Sequence, residues 1–201
     1  MLALEPDLRL GAILLAHARH AIVSAIARET GAAAADTAAP EPHEALETHA
    51  ATFVTLTQDG ALRGCIGTLE AWRPLREDVR GNAVAAASRD PRFLPLHPRE
   101  LSITRVEVSL LEAPAPFAVS GEADALARLT PFEDGLVLRW RDRRATFLPQ
   151  VWEQLPVPRD FLRQLRRKAG LPDDFWAADV ELERYRVTKW KEPPRAAGGR
   201  G

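Results

Sequence analysis

The apolar positions of this chain change period several times, and each change marks an element. Over residues 8–27, Ile13, Leu14, Ala21, Ile22, Ala25 and Ile26 recur at helical spacing behind Asp7, a suitable N-cap, so an amphipathic helix is predicted. Residues 31–42 are rich in Ala, Thr and Pro, carry no usable period and read as an exposed loop. Residues 51–56 are apolar and β-branched, Asp59-Gly60 is a turn signal, and residues 61–69 resume the strand pattern, which predicts a β-hairpin. Residues 74–88 read as a second helix, with Pro74 in its first turn and Leu75, Val79, Ala83 and Ala86 on one face. Asp90-Pro91, Pro95 and Pro98 then interrupt regular structure.

In the second half, residues 103–111 alternate as a strand. Val106, Val108 and Leu110 point one way, and Arg105, Glu107 and Ser109 the other. A helical turn is predicted at 126–129, a second hairpin from Gly135–Trp140 and residues 143–148 through Arg141-Asp142, and a helix at 150–154. A firmer helix spans 161–169, with Asp160 as N-cap and Gly170 just past its end. Residues 180–190 alternate as one final strand, and residues 193–201 are a Pro/Gly-rich tail expected to be disordered. Helices and antiparallel hairpins mix without a βαβ rhythm, so the fold class is α+β, with residues 1–192 forming one domain.

Composition narrows the function. The chain has 201 residues, 46% of them hydrophobic, enough for one large domain or two small lobes. A net charge of -1 gives no general attraction to nucleic acid or an anionic membrane. Cys65 is the only cysteine, so no internal disulfide forms and the cytosol is the default compartment. Acidic Glu5 and Asp7 stand where a secretory signal would carry positive charge, and no uninterrupted apolar run approaches the roughly 20 residues that span a bilayer. The sequence lacks CxxC, HxH and HExxH spacings, a phosphate loop and GxGxxG, so neither a metal nor a nucleotide cofactor is expected. Arg163, Arg166, Arg167 and Lys168 form a basic run. It suits RNA phosphates or an acidic partner, but more commonly such a run is a solvated face that complements a helix C-terminus. The five tryptophans are scattered, and most are expected in the core.

The chemistry concentrates at Leu62-Arg63-Gly64-Cys65-Ile66-Gly67. On a strand, Arg63, Cys65 and Gly67 share one face, and Leu62, Gly64 and Ile66 the other. A guanidinium beside a thiol favours the nucleophilic thiolate, and the glycines admit close approach of a ligand or another backbone. Cys65 is then a nucleophile or substrate contact, with Arg63 as an anion clamp. Alternatively Cys65 is a small buried hydrophobe, Arg63 an ion-pair partner of a local carboxylate and the glycines part of a bulge. A cysteine nucleophile normally needs a base. His17 and His20 lie on a helix, His43 and His49 in or near the irregular loop, and His97 between prolines, so none makes a convincing dyad. Glu107 and Ser109 share a strand face with Arg105 and either line the same site or form a solvated polar face.

Residues 62–69 resemble the signature of the AMMECR family, whose bacterial and archaeal members are the A proteins of AmmeMemoRadiSam systems. Other family-like words follow the same order: Phe53-Val54-Thr55-Leu56, Asp90-Pro91-Arg92-Phe93 with Pro95-Leu96, Glu107-Val108-Ser109-Leu110, Asp134-Gly135, and Ala145-Thr146-Phe147-Leu148-Pro149-Gln150-Val151-Trp152. The similarity runs from the first helix to about Trp190 and lapses over 31–49, so it assigns no role to His43 or His49. It implies two unequal lobes, each an antiparallel sheet with flanking helices, the smaller an inserted segment, and an interlobe cleft facing the signature. It also implies a Memo-like protein and a radical S-adenosylmethionine enzyme as partners, and no settled reaction. The leading expectation is an accessory protein that binds a peptide or protein substrate around Arg63, Gly64, Gly67, Glu107 and Ser109. A Cys65-dependent enzyme comes next, and an RNA-associated protein third.

Overall fold

The computed structural model describes residues 8–31 and 40–193. The Asp7 cap, most of the 31–42 loop and nearly all of the C-terminal tail lie outside them. The chain divides into two units: one runs to Leu111 and resumes at Thr188, and the other is Glu112–Val187.

The first unit contains α1 (Leu8–Thr30), β1 (Ala51–Gln58), β2 (Ala61–Gly67), α2 (Leu75–Ser88) and β3 (Thr104–Leu111). β1 and β2 close through Asp59 (φ 48) and Gly60 (φ 83), the left-handed pair that an Asp-Gly hairpin turn requires. β1 pairs antiparallel with both β2 and β3. Leu14 and Ile22 of α1 and Val79 and Ala83 of α2 join Val54, Leu56, Val106 and Val108 in one core. Each such large aliphatic side chain contributes about 1.5–3 kcal/mol by leaving water. By length and composition α1 is apolar enough to cross a membrane, yet 56% of its most apolar window is buried inside the protein.

Asp78, fully buried on α2, ties this unit together. Its carboxylate accepts from Thr52 N (2.8 Å) and Oγ1 (2.6 Å), Thr68 Oγ1 (2.8 Å), Asn82 Nδ2 (2.9 Å) and Arg73 Nε (2.8 Å). A buried carboxylate is tolerable only when satisfied in this way.

The second unit contains β4 (Ala115–Pro116), α3 (Glu122–Arg128), β5 (Gly135–Trp140), β6 (Arg143–Phe147), α4 (Pro158–Lys168) and β7 (Glu181–Tyr185). Its antiparallel sheet has the order β4-β7-β5-β6. Trp152 stacks on Phe161 at 3.8 Å and donates Nε1–H to Asp134 O at 2.7 Å. Val187–Lys191 forms β8, which completes the first sheet in the order β2-β1-β3-β8. The protein is therefore α+β, with two four-stranded antiparallel sheets.

Several expectations are corrected. The final alternating run 180–190 is two strands in different sheets, because the chain breaks at Arg186 to return to the first unit. α4 begins at Pro158 with Val157 as N-cap. Asp160 instead sits in its first turn and pairs with Arg163 at 2.8 Å. Gly170 (φ 72) does end α4, where Leu171 N–H reaches back to Arg166 O at 2.9 Å. Pro74 is the N-cap of α2 rather than a residue of its first turn. Of the tryptophans, Trp152 is fully buried, whereas Trp72 is 64% exposed and lies against the Arg73 guanidinium at 4.6 Å.

Candidate functional site

β2 is an edge strand, and its register holds a slip. Gln58 pairs with Ala61 and Thr57 with Leu62, but Leu56 then pairs with Gly64, leaving Arg63 as an extra residue. That bulge resets the face of everything after it. Counted straight back from the turn, Cys65 would sit opposite Val54 and face the core. With the bulge it sits opposite Thr55, on the face away from the helices, while Gly64 and Ile66 turn inward. The expected alternation therefore holds from Gly64 to Gly67 and fails before the bulge, where Leu62, opposite Thr57, shares the Cys65 face.

The glycines admit close approach, each to a different neighbour. A methyl at Gly64 would meet the main chain of Ala86, so the bare backbone lets α2 lie directly on β2. A methyl at Gly67 would meet the ring of Phe53, its directly opposed cross-strand partner. Gly135 and Tyr185 repeat this glycine–aromatic pairing in the second sheet.

Cys65, Thr55 and Glu107 form one row across β2, β1 and β3, and Gly67, Phe53 and Ser109 the next. At normal strand spacing the Cys65 and Glu107 backbones are about 10 Å apart. The Cys65 Sγ lies 3.3 Å from Thr55 Oγ1, and the residue is half-buried. Glu107 pairs with Lys191 of β8 at 3.7 Å. Ser109 is not on a solvated face: it is 1% exposed, and its Oγ has no hydrogen-bond partner among the described residues.

Arg63 is paired with a carboxylate of its own chain. It makes a two-pronged contact with Glu100, Nε–Oε1 at 3.0 Å and Nη2–Oε2 at 3.2 Å, leaving only Nη1, which is buried and without an acceptor among the described residues. The same Glu100 accepts from His97 N at 2.8 Å and Gln58 Nε2 at 3.1 Å. The Arg63 guanidinium holds the Glu100 carboxyl down at about 2.

Two residues of the Asp90-Pro91-Arg92-Phe93 word complete the site. Asp90 accepts the Cys65 main-chain N–H at 2.8 Å, and Arg92 donates Nη2–H to the Cys65 carbonyl at 3.4 Å. Arg92 also holds Asp90 by Nε–Oδ1 at 2.9 Å and Nη2–Oδ2 at 2.7 Å, which keeps this carboxyl well below its usual range. A side-chain ion pair thus occupies the open edge of β2 at Cys65, where another strand would otherwise add. Phe93 lies beneath both the Arg63 and Arg92 guanidinium groups, at 5.8 and 5.5 Å.

The histidines serve elsewhere. His43 Nδ1 accepts from Ala45 N at 3.2 Å and His97 Nδ1 from Arg99 N at 3.3 Å, each at the start of a 3-10 turn. His17 is buried in α1, where desolvation lowers its pKa, and His49 bridges Pro74 by main chain. Sequence reasoning missed Thr55, Asp90, Arg92 and Glu100 as partners of the signature. Asp90 and Arg92 carried a usable signal, an acid and a base two residues apart around a proline. Glu100 carried none.

The chain is thus a two-sheet α+β protein with a bulged Arg-Gly-Cys edge strand and an Asp–Arg pair across that edge. The AMMECR1 family model matches residues 15–190, and the chain belongs to the AMMECR1 family. A protein of Thermotoga maritima is 39% identical over 152 residues, 75% of this chain and 82% of that protein. One from Methanothermobacter thermautotrophicus is 38% identical over 146 residues, covering 70% and 74%. The crystal structure of an uncharacterized protein from Pyrococcus horikoshii superposes with a TM-score of 0.71 at 30% identity, covering 92% of each chain.

Proposed function

We propose that the protein is an accessory, substrate-binding protein whose binding face is centred on the Leu62–Gly67 segment. The observation that carries this reading is how the groups around Cys65 are spent. The thiol's partner is a threonine hydroxyl, Arg63 is held by Glu100, and Asp90 and Arg92 are held by each other and by the Cys65 main chain. No histidine hydrogen-bonds to Cys65 among the described residues, so the thiol lacks the base that a nucleophilic cysteine normally uses. What remains is a rigid face bearing a thiol, a hydroxyl and a carboxylate in a row, suited to holding a peptide or protein. Its companions, following the family resemblance, are a Memo-like protein and a radical S-adenosylmethionine enzyme, and its compartment is the cytoplasm. The basic run gives little support to an RNA role, since Arg163 pairs with Asp160, Arg166 with Glu122, Arg167 with Asp173, and Lys168 donates to Thr146 O.

Co-purification with the two partners tests the reading on three forms of the protein: wild type, Cys65→Ala, and wild type alkylated at Cys65 with a bulky maleimide. A binding face predicts that Cys65→Ala retains the complex and keeps cellular function, while the alkylated protein loses the complex. Loss of cellular function in Cys65→Ala with the complex intact would instead support Cys65 as a nucleophile.

A further inference from the structure

A cavity of about 530 Å³ opens in the second unit between α3 and α4, with Asp173 and Asp174 closing one side. Arg159, Arg163 and Arg166 line it from α4, at the 4- and 3-residue steps that place side chains on one helix face. Glu122 and Leu126 of α3 face them.

The charges around this cavity balance, but the hydrogen-bond donors do not. Glu122 accepts from Arg166 Nη1 at 2.9 Å, Asp160 pairs with Arg163, and Asp173 is held by Arg167. Arg166 is 2% exposed and spends Nη1 on Glu122 and on Phe175 O at 3.0 Å, yet its Nε–H has no acceptor among the described residues. The Nε of Arg163, one turn back on the same face, is likewise buried and without an acceptor. Each guanidinium is thus anchored by its far end while Nε–H is left over. The two Nε atoms are closed to solvent in the unliganded protein, so a ligand reaches them only where these side chains turn toward the cavity they line, and its acceptor oxygens would then satisfy donors that are costly to leave unpaired. Arg159 has no ion pair among the described residues and adds charge from the exposed end of α4.

We propose that this cavity is an oxyanion-binding site that takes the phosphate or carboxylate group of a small molecule between Arg163 and Arg166. The volume lies in the range of small-molecule pockets, so the group is one end of a larger ligand rather than a lone ion. Asp174 at the rim is the one lining acid without an ion pair among the described residues, and it favours a ligand whose other end is cationic or a hydrogen-bond donor. The cavity is built from residues of the second unit alone, and its ligand does not depend on the function of the Cys65 face.

Calorimetric titration of the full-length protein with inorganic phosphate and with citrate, at constant ionic strength held by sodium chloride, tests the proposal. Saturable one-to-one binding of either anion is expected, and the anion that binds identifies the source as phosphate or carboxylate. Arg163→Gln, a partly exposed position, should weaken that binding about 10-fold or more while the unliganded Tm stays within about 2 °C. Arg166→Lys keeps the charge but loses Nε–H and should weaken it comparably; its circular dichroism confirms that it folds. Absence of saturable binding by both anions at low salt, or binding unchanged in Arg163→Gln, would overturn the assignment.

Discussion

Gly64→Ala puts the reading of the signature to a quantitative test. The added methyl would sit 3.2 Å from the Ala86 carbonyl carbon and closer still to its oxygen, inside the distance real Cβ atoms keep. The obstacle is main chain in the last turns of α2, a helix anchored by Asp78 and by Leu96 N–H bonding to Ala87 O at 2.7 Å. Neither partner can swing aside as a side-chain tip would. Gly64 does not use the left-handed region, so alanine would gain about 0.4–1 kcal/mol by restricting the unfolded chain. Overpacking of this kind costs about 1–3 kcal/mol, more where the obstacle is rigid. The net expectation is a loss of about 1–2 kcal/mol, and a fall in Tm of roughly 2–8 °C for a protein of this size. The assay is urea or thermal unfolding followed by circular dichroism. A Gly64→Ala protein as stable as wild type would refute the close approach of α2 to β2, and with it a structural reason for glycine at this position.

Three further outcomes follow from the geometry. Gly67→Ala should cost less than Gly64→Ala, because its obstacle is the Phe53 ring, a side chain that can rotate; equal losses in urea unfolding would contradict this. Asp78→Ala should cost about 3–5 kcal/mol by stranding Arg73, Thr52 and Asn82 in a buried site, and a loss below about 1 kcal/mol would mean the network is not holding β1 to α2. Glu100 has its pKa lowered from 4.5 to about 2 by Arg63, so it contributes stability above pH 4.5 that is lost as pH falls through about 2. With its carboxyl 23% exposed, that contribution is about 1–2 kcal/mol after allowing for solvent screening. Glu100→Gln should therefore trail wild type at pH 7 and approach it near pH 2–3, and a constant gap across that range would remove the Arg63–Glu100 pair as its source.

How far the sequence could lead is clearest at β2. The hairpin was legible because its signals are local: β-branched runs on either side of Asp59-Gly60, a pair whose left-handed φ values fix the turn. The helices were legible from periodicity, and Gly170 from the need for a residue at φ 72 just past α4. Errors came where two local patterns adjoin and only tertiary structure separates them. Residues 180–190 alternate without interruption, so nothing local shows that Tyr185 and Val187 belong to different sheets. Ser109 reads as a polar-face residue by alternation, and only the packing reveals that it is buried.

The site itself shows why residue identity is not enough. Arg63 and Cys65 are two apart on a strand, and period-2 geometry places a guanidinium beside a thiol, the usual basis for predicting a reactive cysteine. One inserted residue breaks that inference. The bulge at Arg63 turns Cys65 outward to Thr55 and leaves the guanidinium to Glu100, an acid 37 residues away whose position depends on the prolines before β3. The charged neighbours that Cys65 does acquire, Asp90 and Arg92, bind its main chain rather than its sulfur. The chemistry one would assign to a Cys–Arg pair becomes an edge-strand seal, because Asp90 and Arg92 supply the acceptor and donor that a neighbouring strand would have given. Removing the seal with Arg92→Ala should therefore speed hydrogen exchange at the Cys65 amide while leaving the β1 amides protected, whereas uniform loss of protection across both strands would mean the pair supports the whole sheet rather than its edge.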